Sequence, residues 1–180
     1  MIKKIFLAIN LAFCTVLLSS CAVTDVTYYK DVKPVLDLEK FFLGTIDAWG
    51  MFQQRSGAVI KRFHVVIETK KIGDELVLDE RFQYDDGSKQ QRIWHLRKNA
   101  DGRWSGKADD VKGEAIGEAA GNAFKWQYSL LLPVDGDTYE MQMDDWMYLI
   151  DENTMVNRAK MRKFGFEVGE VTLFFRRRTT

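Results

Sequence analysis

From Gly44 onward the chain divides into about ten runs of roughly ten residues, rich in β-branched and aromatic side chains and separated by turn-forming Gly, Asn and Asp. The 3.6-residue helical period is almost absent. The runs fall near Ile46–Gln54, Val59–Lys70, Glu75–Tyr84, Gln91–Lys98 and Arg103–Asp109. They continue with Val111–Ala119, Ala123–Leu132, Tyr139–Leu149, Met155–Lys163 and Glu167–Arg177. Between them lie Gly57, Gly73-Asp74, Asp85-Asp86-Gly87-Ser88, Asn99-Ala100-Asp101-Gly102, Pro133 to Gly136 and Asp151-Glu152-Asn153, which supply the positive-φ positions that tight turns need. Loops this short join antiparallel neighbours. So many strands in one small domain would leave long unpaired edges unless the sheet closes on itself. The sequence therefore predicts an all-β, antiparallel up-and-down barrel over residues 44–180, with a sandwich as the alternative.

Alternation assigns side chains to faces. Leu76, Leu78, Glu80, Phe82 and Tyr84 share one face of their strand, and Arg92, Trp94 and Leu96 share one face of the next. If the intervening turn pairs Tyr84 with Gln90, Glu80 lies opposite Trp94 and becomes a diagonal neighbour of Arg92. A charge among large apolar residues needs a partner, because an isolated charge in a desolvated site is costly. Glu80 and Arg92 thus form either a polar anchor inside a pocket or a buried ion pair that sets strand register. Further along, Gly113, Ala115, Gly117 and Ala119 alternate on one face, beside Phe124, Trp126, Tyr128, Leu130 and Leu132 on the following strand. Small residues facing aromatic ones either let a barrel bend and fill tightly or leave room for an apolar guest; tight filling is the expectation. The candidate ligand-binding residues are Glu80, Arg92, Trp94, Trp126 and Tyr128.

The N-terminus has a different texture. Lys3 and Lys4 precede an apolar run from Ile5 to Leu18, followed by Leu18-Ser19-Ser20-Cys21. The run is shorter than the roughly 20 residues needed to span a bilayer. Its charged start, apolar middle and small residues before a cysteine are those of a secretory signal. The cysteine makes it resemble a bacterial lipoprotein signal, which implies removal of residues 1–20 and acylation of Cys21. Each buried methylene contributes about 0.8 kcal/mol, so two or more acyl chains anchor a protein stably. Ala22 after the cysteine, rather than Asp, implies by the same resemblance the outer membrane, facing the periplasm. Residues 21–43 read as a lipidated tether whose later part, with a short helix over Leu36–Phe42, docks on the barrel.

Loss of the signal removes Cys14, so no disulfide is available. It also removes two lysines and no acids, leaving 24 basic against 26 acidic residues. Such near-neutrality argues against a nucleic-acid partner.

The residues carry a resemblance. Gly44 to Gly50 with Trp49 looks like the entry strand of lipocalin-like barrels. The succession Leu78-x-Glu80-x-Phe82-x-Tyr84, Asp86-Gly87, Arg92-x-Trp94, Gly106-x-Ala108-x-Asp110-Val111, Trp126-x-Tyr128, Asp144-Asp145-Trp146-Met147, Asn157-Arg158-Ala159 and Lys163-Phe164-Gly165 is similar to an uncharacterised family of proteobacterial lipoproteins. That likeness covers most of residues 35–177. It implies an envelope location and a lipocalin-like barrel, and no established activity, ligand or cofactor.

Other candidates are weaker. His64 and His95, the only histidines, lie on the polar faces of their strands, and a metal site would need carboxylates from other strands. No Gly-x-Ser-x-Gly elbow marks a hydrolase. Asp109-Asp110 and Asp144-Asp145 can each send at most one acid inward, and they read as solvated strand ends. Arg176-Arg177-Arg178 is either a solvated tail or a contact for anionic headgroups. Two functions stay open: a barrel that binds a lipid or other apolar molecule, and a solid barrel that meets a protein partner through exposed aromatics such as Tyr28, Tyr29 or Trp104. An enzyme acting on lipid or glycan would require Glu80, Asp110 or Asp145 to share an open cleft.

Overall fold

Each short turn folds the chain back beside the preceding strand, and the last strand returns to pair with the first. The computed structural model describes residues 24–134 and 136–179; the predicted signal and Cys21 lie outside them. The strands are β1 (Gly44–Gln54), β2 (Val59–Ile72), β3 (Glu75–Tyr84), β4 (Lys89–Lys98), β5 (Trp104–Lys107), β6 (Val111–Ala120), β7 (Ala123–Val134), β8 (Asp137–Asp151), β9 (Thr154–Lys163) and β10 (Phe166–Arg177). They close into one antiparallel barrel in chain order, with β1 paired to both β2 and β10. Closure leaves neither β1 nor β10 with a free edge, which is the gain a sandwich lacks.

The register of β3 on β4 differs from the expected one. The Tyr84 amide donates to the Ser88 carbonyl, 2.9 Å away, so the turn is tighter than a Tyr84–Gln90 pairing allows. Glu80 consequently stands directly opposite Arg92, and Leu78 opposite Trp94. A slip of two residues keeps every side chain on its face, so the predicted inward set survives the correction.

The small-residue stripe on β6 is also shorter than expected. Gly113 takes a positive φ of 73° where the β6–β7 register shifts between Lys112 and Ile116, and Ala119 is exposed. Ala115 and Gly117 face the interior. A Cβ on Gly117 would lie 2.2 Å from the Trp126 ring and 2.4 Å from the Phe124 ring. At this wall the aromatic rings occupy the space the glycine leaves, but the expectation of a tightly filled interior fails for the barrel as a whole, because the same rings border an open cavity. Trp104, offered above as a surface aromatic, is buried in the main core.

The two ends of the barrel are unlike. The base, at the β2–β3, β4–β5, β6–β7 and β8–β9 turns, is plugged by helix α1 (Leu38–Phe42), whose N-cap Asp37 accepts a hydrogen bond from the Lys40 amide. Leu38, Phe41 and Phe42 are buried, and Phe42 meets Phe175 edge to face at 6.1 Å. Before α1, a 3-10 turn over Val26–Tyr29 lies on the outer wall, where Tyr29 packs against Trp146 and Tyr148. The Leu36 amide donates to the Gly121 carbonyl. The opposite end, at the β1–β2, β3–β4, β5–β6, β7–β8 and β9–β10 turns, carries no such plug among the described residues.

Candidate functional site

Above α1 the interior is a cavity of about 910 Å³. Its floor includes Leu38 and Phe42, its walls include Trp94, Trp126 and Tyr128, and its upper lining reaches Ile60, Gln90 and Val134 near the mouth. All five predicted ligand-binding residues line it. Trp94 stands edge-on to Tyr128, with centroids 5.4 Å apart, and 5.8 Å from Trp126. This volume lies within the range of small-molecule sites, as does a mostly apolar lining with a few convergent polar groups.

The polar groups come from six places in the chain. Arg92 on β4 reaches Asp110 in the β5–β6 turn with a two-nitrogen fork: Nε donates to both carboxylate oxygens at 2.9–3.0 Å, and Nη2 donates to one at 2.7 Å. Glu80 on β3 is further off, its Oε2 lying 3.8 Å from Arg92 Nη1. Both side chains are mostly enclosed, at 14% and 16% exposure for Glu80 and Arg92. Asp145 on β8 is 6% exposed. It accepts a close hydrogen bond from the Asn157 side-chain amide on β9 and a long one, 3.5 Å, from the Tyr128 hydroxyl on β7.

Burial dominates the titration of these groups. It pushes the Glu80 carboxyl up to about 7, against the pull of Arg92 and with help from Asp110 and Asp145. It pushes Asp145 up to about 7 as well, although Asn157 and Tyr128 favour its charged form. Burial also holds the Tyr128 phenol protonated, reinforced by Asp145. For Arg92 burial works against the charge, but Glu80 and Asp110 outweigh it and keep the guanidinium cationic.

Asp110 and Asp145 correct the expectation that both acidic pairs are solvated strand ends: one member of each enters the cavity. Alternation carried a signal for Asp145, which shares its face of β8 with Met141, Met143 and Leu149. Asp110 lies in a turn and gave none. Asn157, an interior amide, was missed among its polar neighbours. The histidines stay outside: His64 Nε2 lies 3.0 Å from Asp47, and His95 Nδ1 lies 3.3 Å from Glu75. Among the described residues no group of three His, Cys, Asp or Glu is arranged to hold a metal ion. No described helix is long and apolar enough to cross a membrane.

Residues 15–177 match the family described as "Protein of unknown function (DUF3833)". The chain belongs to the DUF3833 family. No curated protein matches it in sequence. Among solved structures, a DUF3598-family protein of unknown function from Nostoc punctiforme is similar, with a TM-score of 0.59 and 12% identity, over 87% of this chain and 53% of that one. The DUF3833 chain thus spans about half the length of that protein. The S-type phycobiliprotein lyase CPES from Guillardia theta has a TM-score of 0.56 and 7% identity, over 81% of this chain and 95% of its own. At such identities the likeness concerns the fold, a lipocalin-like barrel.

Proposed function

We propose that this DUF3833 protein is a cell-envelope lipoprotein, anchored through acylated Cys21, whose barrel holds a lipid or other apolar small molecule. The observation that carries the binding role is the cavity of about 910 Å³, floored by α1 and lined by aromatic and aliphatic side chains around a small polar cluster. That a phycobiliprotein lyase has a barrel of the same fold supports a ligand-holding role. The alternative of a solid barrel does not match this interior. The anchor rests on the charged start at Lys3 and Lys4, the apolar run Ile5 to Leu18 and the Leu18-Ser19-Ser20-Cys21 sequence. Its expected place is the outer membrane, facing the periplasm.

Mass spectrometry tests both parts. The intact mature chain, extracted in mild detergent, should begin at Cys21 and carry the added mass of acyl groups. Under native conditions a further small molecule should remain bound and be released on unfolding. A chain without fatty mass would end the lipoprotein reading. A barrel that neither retains nor takes up any apolar compound would end the binding reading.

A further inference from the structure

Lys61 and Lys89 line the cavity near its mouth, but in the polar cluster below them acids outnumber cations. Arg92 is the one cationic side chain in the polar cluster, and its fork is occupied by Asp110. Glu80 shares that guanidinium only from 3.8 Å, and Asp145 has no cation beside it. Glu80 has no hydrogen-bond donor within reach, since its nearest guanidinium nitrogen is 3.8 Å away, and it lines the cavity. Asp145 is satisfied only by neutral donors, the Asn157 amide and the Tyr128 hydroxyl. Beside them stand Trp94, Trp126 and Tyr128, whose ring faces attract cations. An incoming carboxylate or phosphate would meet two acids and a guanidinium already claimed. An incoming ammonium would meet two acids and three aromatic rings.

We propose that the cavity selects amphiphiles whose polar end is a cationic nitrogen, held by Glu80 and Asp145 against the Trp94, Trp126 and Tyr128 rings, and disfavours anionic ones such as fatty acids. The inference rests on the binding reading above and adds the class of ligand. In the empty barrel the two acids hold protons near neutral pH. A cation that enters stabilises their charged forms, so its binding releases protons and strengthens as pH rises. The groups facing Glu80 are Arg92 on β4, Asp110, Asp145 and the phenols of Tyr84 and Tyr128, while its chain neighbour Asp79 acts from the outer face. Those facing Asp145 are Tyr128, Asn157, Arg92 and Glu80, while its neighbour Asp144 acts from the outer face. Arg92 stays cationic throughout, so across the neutral range the change in cavity charge comes from Glu80 and Asp145.

The test compares three probes with one octyl tail: octyltrimethylammonium, octanoate and octanol. The acylated mature chain is placed in nanodiscs of zwitterionic lipid, with empty discs as the blank for partitioning, and binding is read from tryptophan fluorescence. Octyltrimethylammonium should bind about tenfold more tightly than octanoate, with octanol between. The preference should widen from about pH 6 to about pH 8. In the double variant Glu80→Gln with Asp145→Asn, which keeps size and removes charge, the ratio of ammonium to octanoate affinity should shrink to within about threefold, each affinity being taken relative to octanol on the same variant. Octanoate binding as tightly as the ammonium probe, or a preference indifferent to the double variant, overturns this inference and leaves the binding reading standing. Failure of all three probes overturns both.

Discussion

A carboxyl held at about 7 inside the folded barrel, against an ordinary value of 4.5 for Glu80 or 3.8 for Asp145, binds a proton that the unfolded chain has already lost. Over that window folding takes up protons, so stability falls as pH rises; below it both states are protonated, and above it both are charged. Urea unfolding of the unliganded protein should therefore show a lower midpoint at about pH 8 than at about pH 5. Glu80→Gln should raise stability at the higher pH by on the order of 2 kcal/mol and change little at the lower one. An equal effect at both would show that Glu80 titrates normally. Arg92 has the opposite sign. Replacing it by Met strands Asp110 and Glu80 without their cation, and the same unfolding measurement should show a loss of about 3 kcal/mol at neutral pH. The residue-level reading from sequence placed Glu80 and Arg92 together because two charges sat on otherwise apolar faces, and that signal does not depend on exact register. It could not pair Arg92 with Asp110, because strand alternation says nothing about a side chain in a turn.

Among the elements, strand number and order were readable because each Gly or Asx turn fixes a reversal and period-2 patterning fixes a face. The edges were not: β8 extends to Asp151 where the pattern ended at Leu149, and β5 stops at Lys107 where the pattern ran on to Asp109. Whether the interior was hollow was also beyond the pattern, since it depends on where large rings settle rather than on which face they occupy. The segment before the barrel shows a third kind of dependence. It crosses the β6–β7 turn at Gly121, whose φ is +54° and whose missing Cβ would fall 1.7 Å from the Tyr29 carbonyl oxygen. Gly121→Ala cannot keep that crossing, and here the obstacle is backbone rather than a side chain that can turn aside. The variant should retain the barrel while releasing the segment around Tyr29 and Leu36. Hydrogen exchange should accordingly speed up at the Leu36 amide, which donates to Gly121. Unchanged protection there would mean that the segment is held by Tyr29, Trp146 and Tyr148 alone.

At the scale of the molecule, stability and access are placed at opposite ends of the barrel. The base is closed by α1, with Leu38, Phe41 and Phe42 packed among Ile46, Val65 and Phe175 in the main core. The mouth instead exposes large apolar side chains on its rim: Phe164 is 85% and Phe166 71% exposed, and the only non-glycine residue with positive φ among those described is Phe164, at 52°. Rings left in water contribute little to folding, whereas a buried phenylalanine cut back to alanine costs about 3–5 kcal/mol. Phe42→Ala should therefore lower the unfolding free energy by about that amount. Phe164→Ser and Phe166→Ser should each stay within about 0.5 kcal/mol of the parent. The same contrast should reverse for ligand entry, because an apolar guest reaches the cavity through the mouth. In stopped-flow mixing with octanol, the rim variants should change the rate of the fluorescence response while leaving its equilibrium amplitude intact. If the rim substitutions unfold the barrel, or if Phe42→Ala leaves its stability untouched, the assignment of the two ends is reversed.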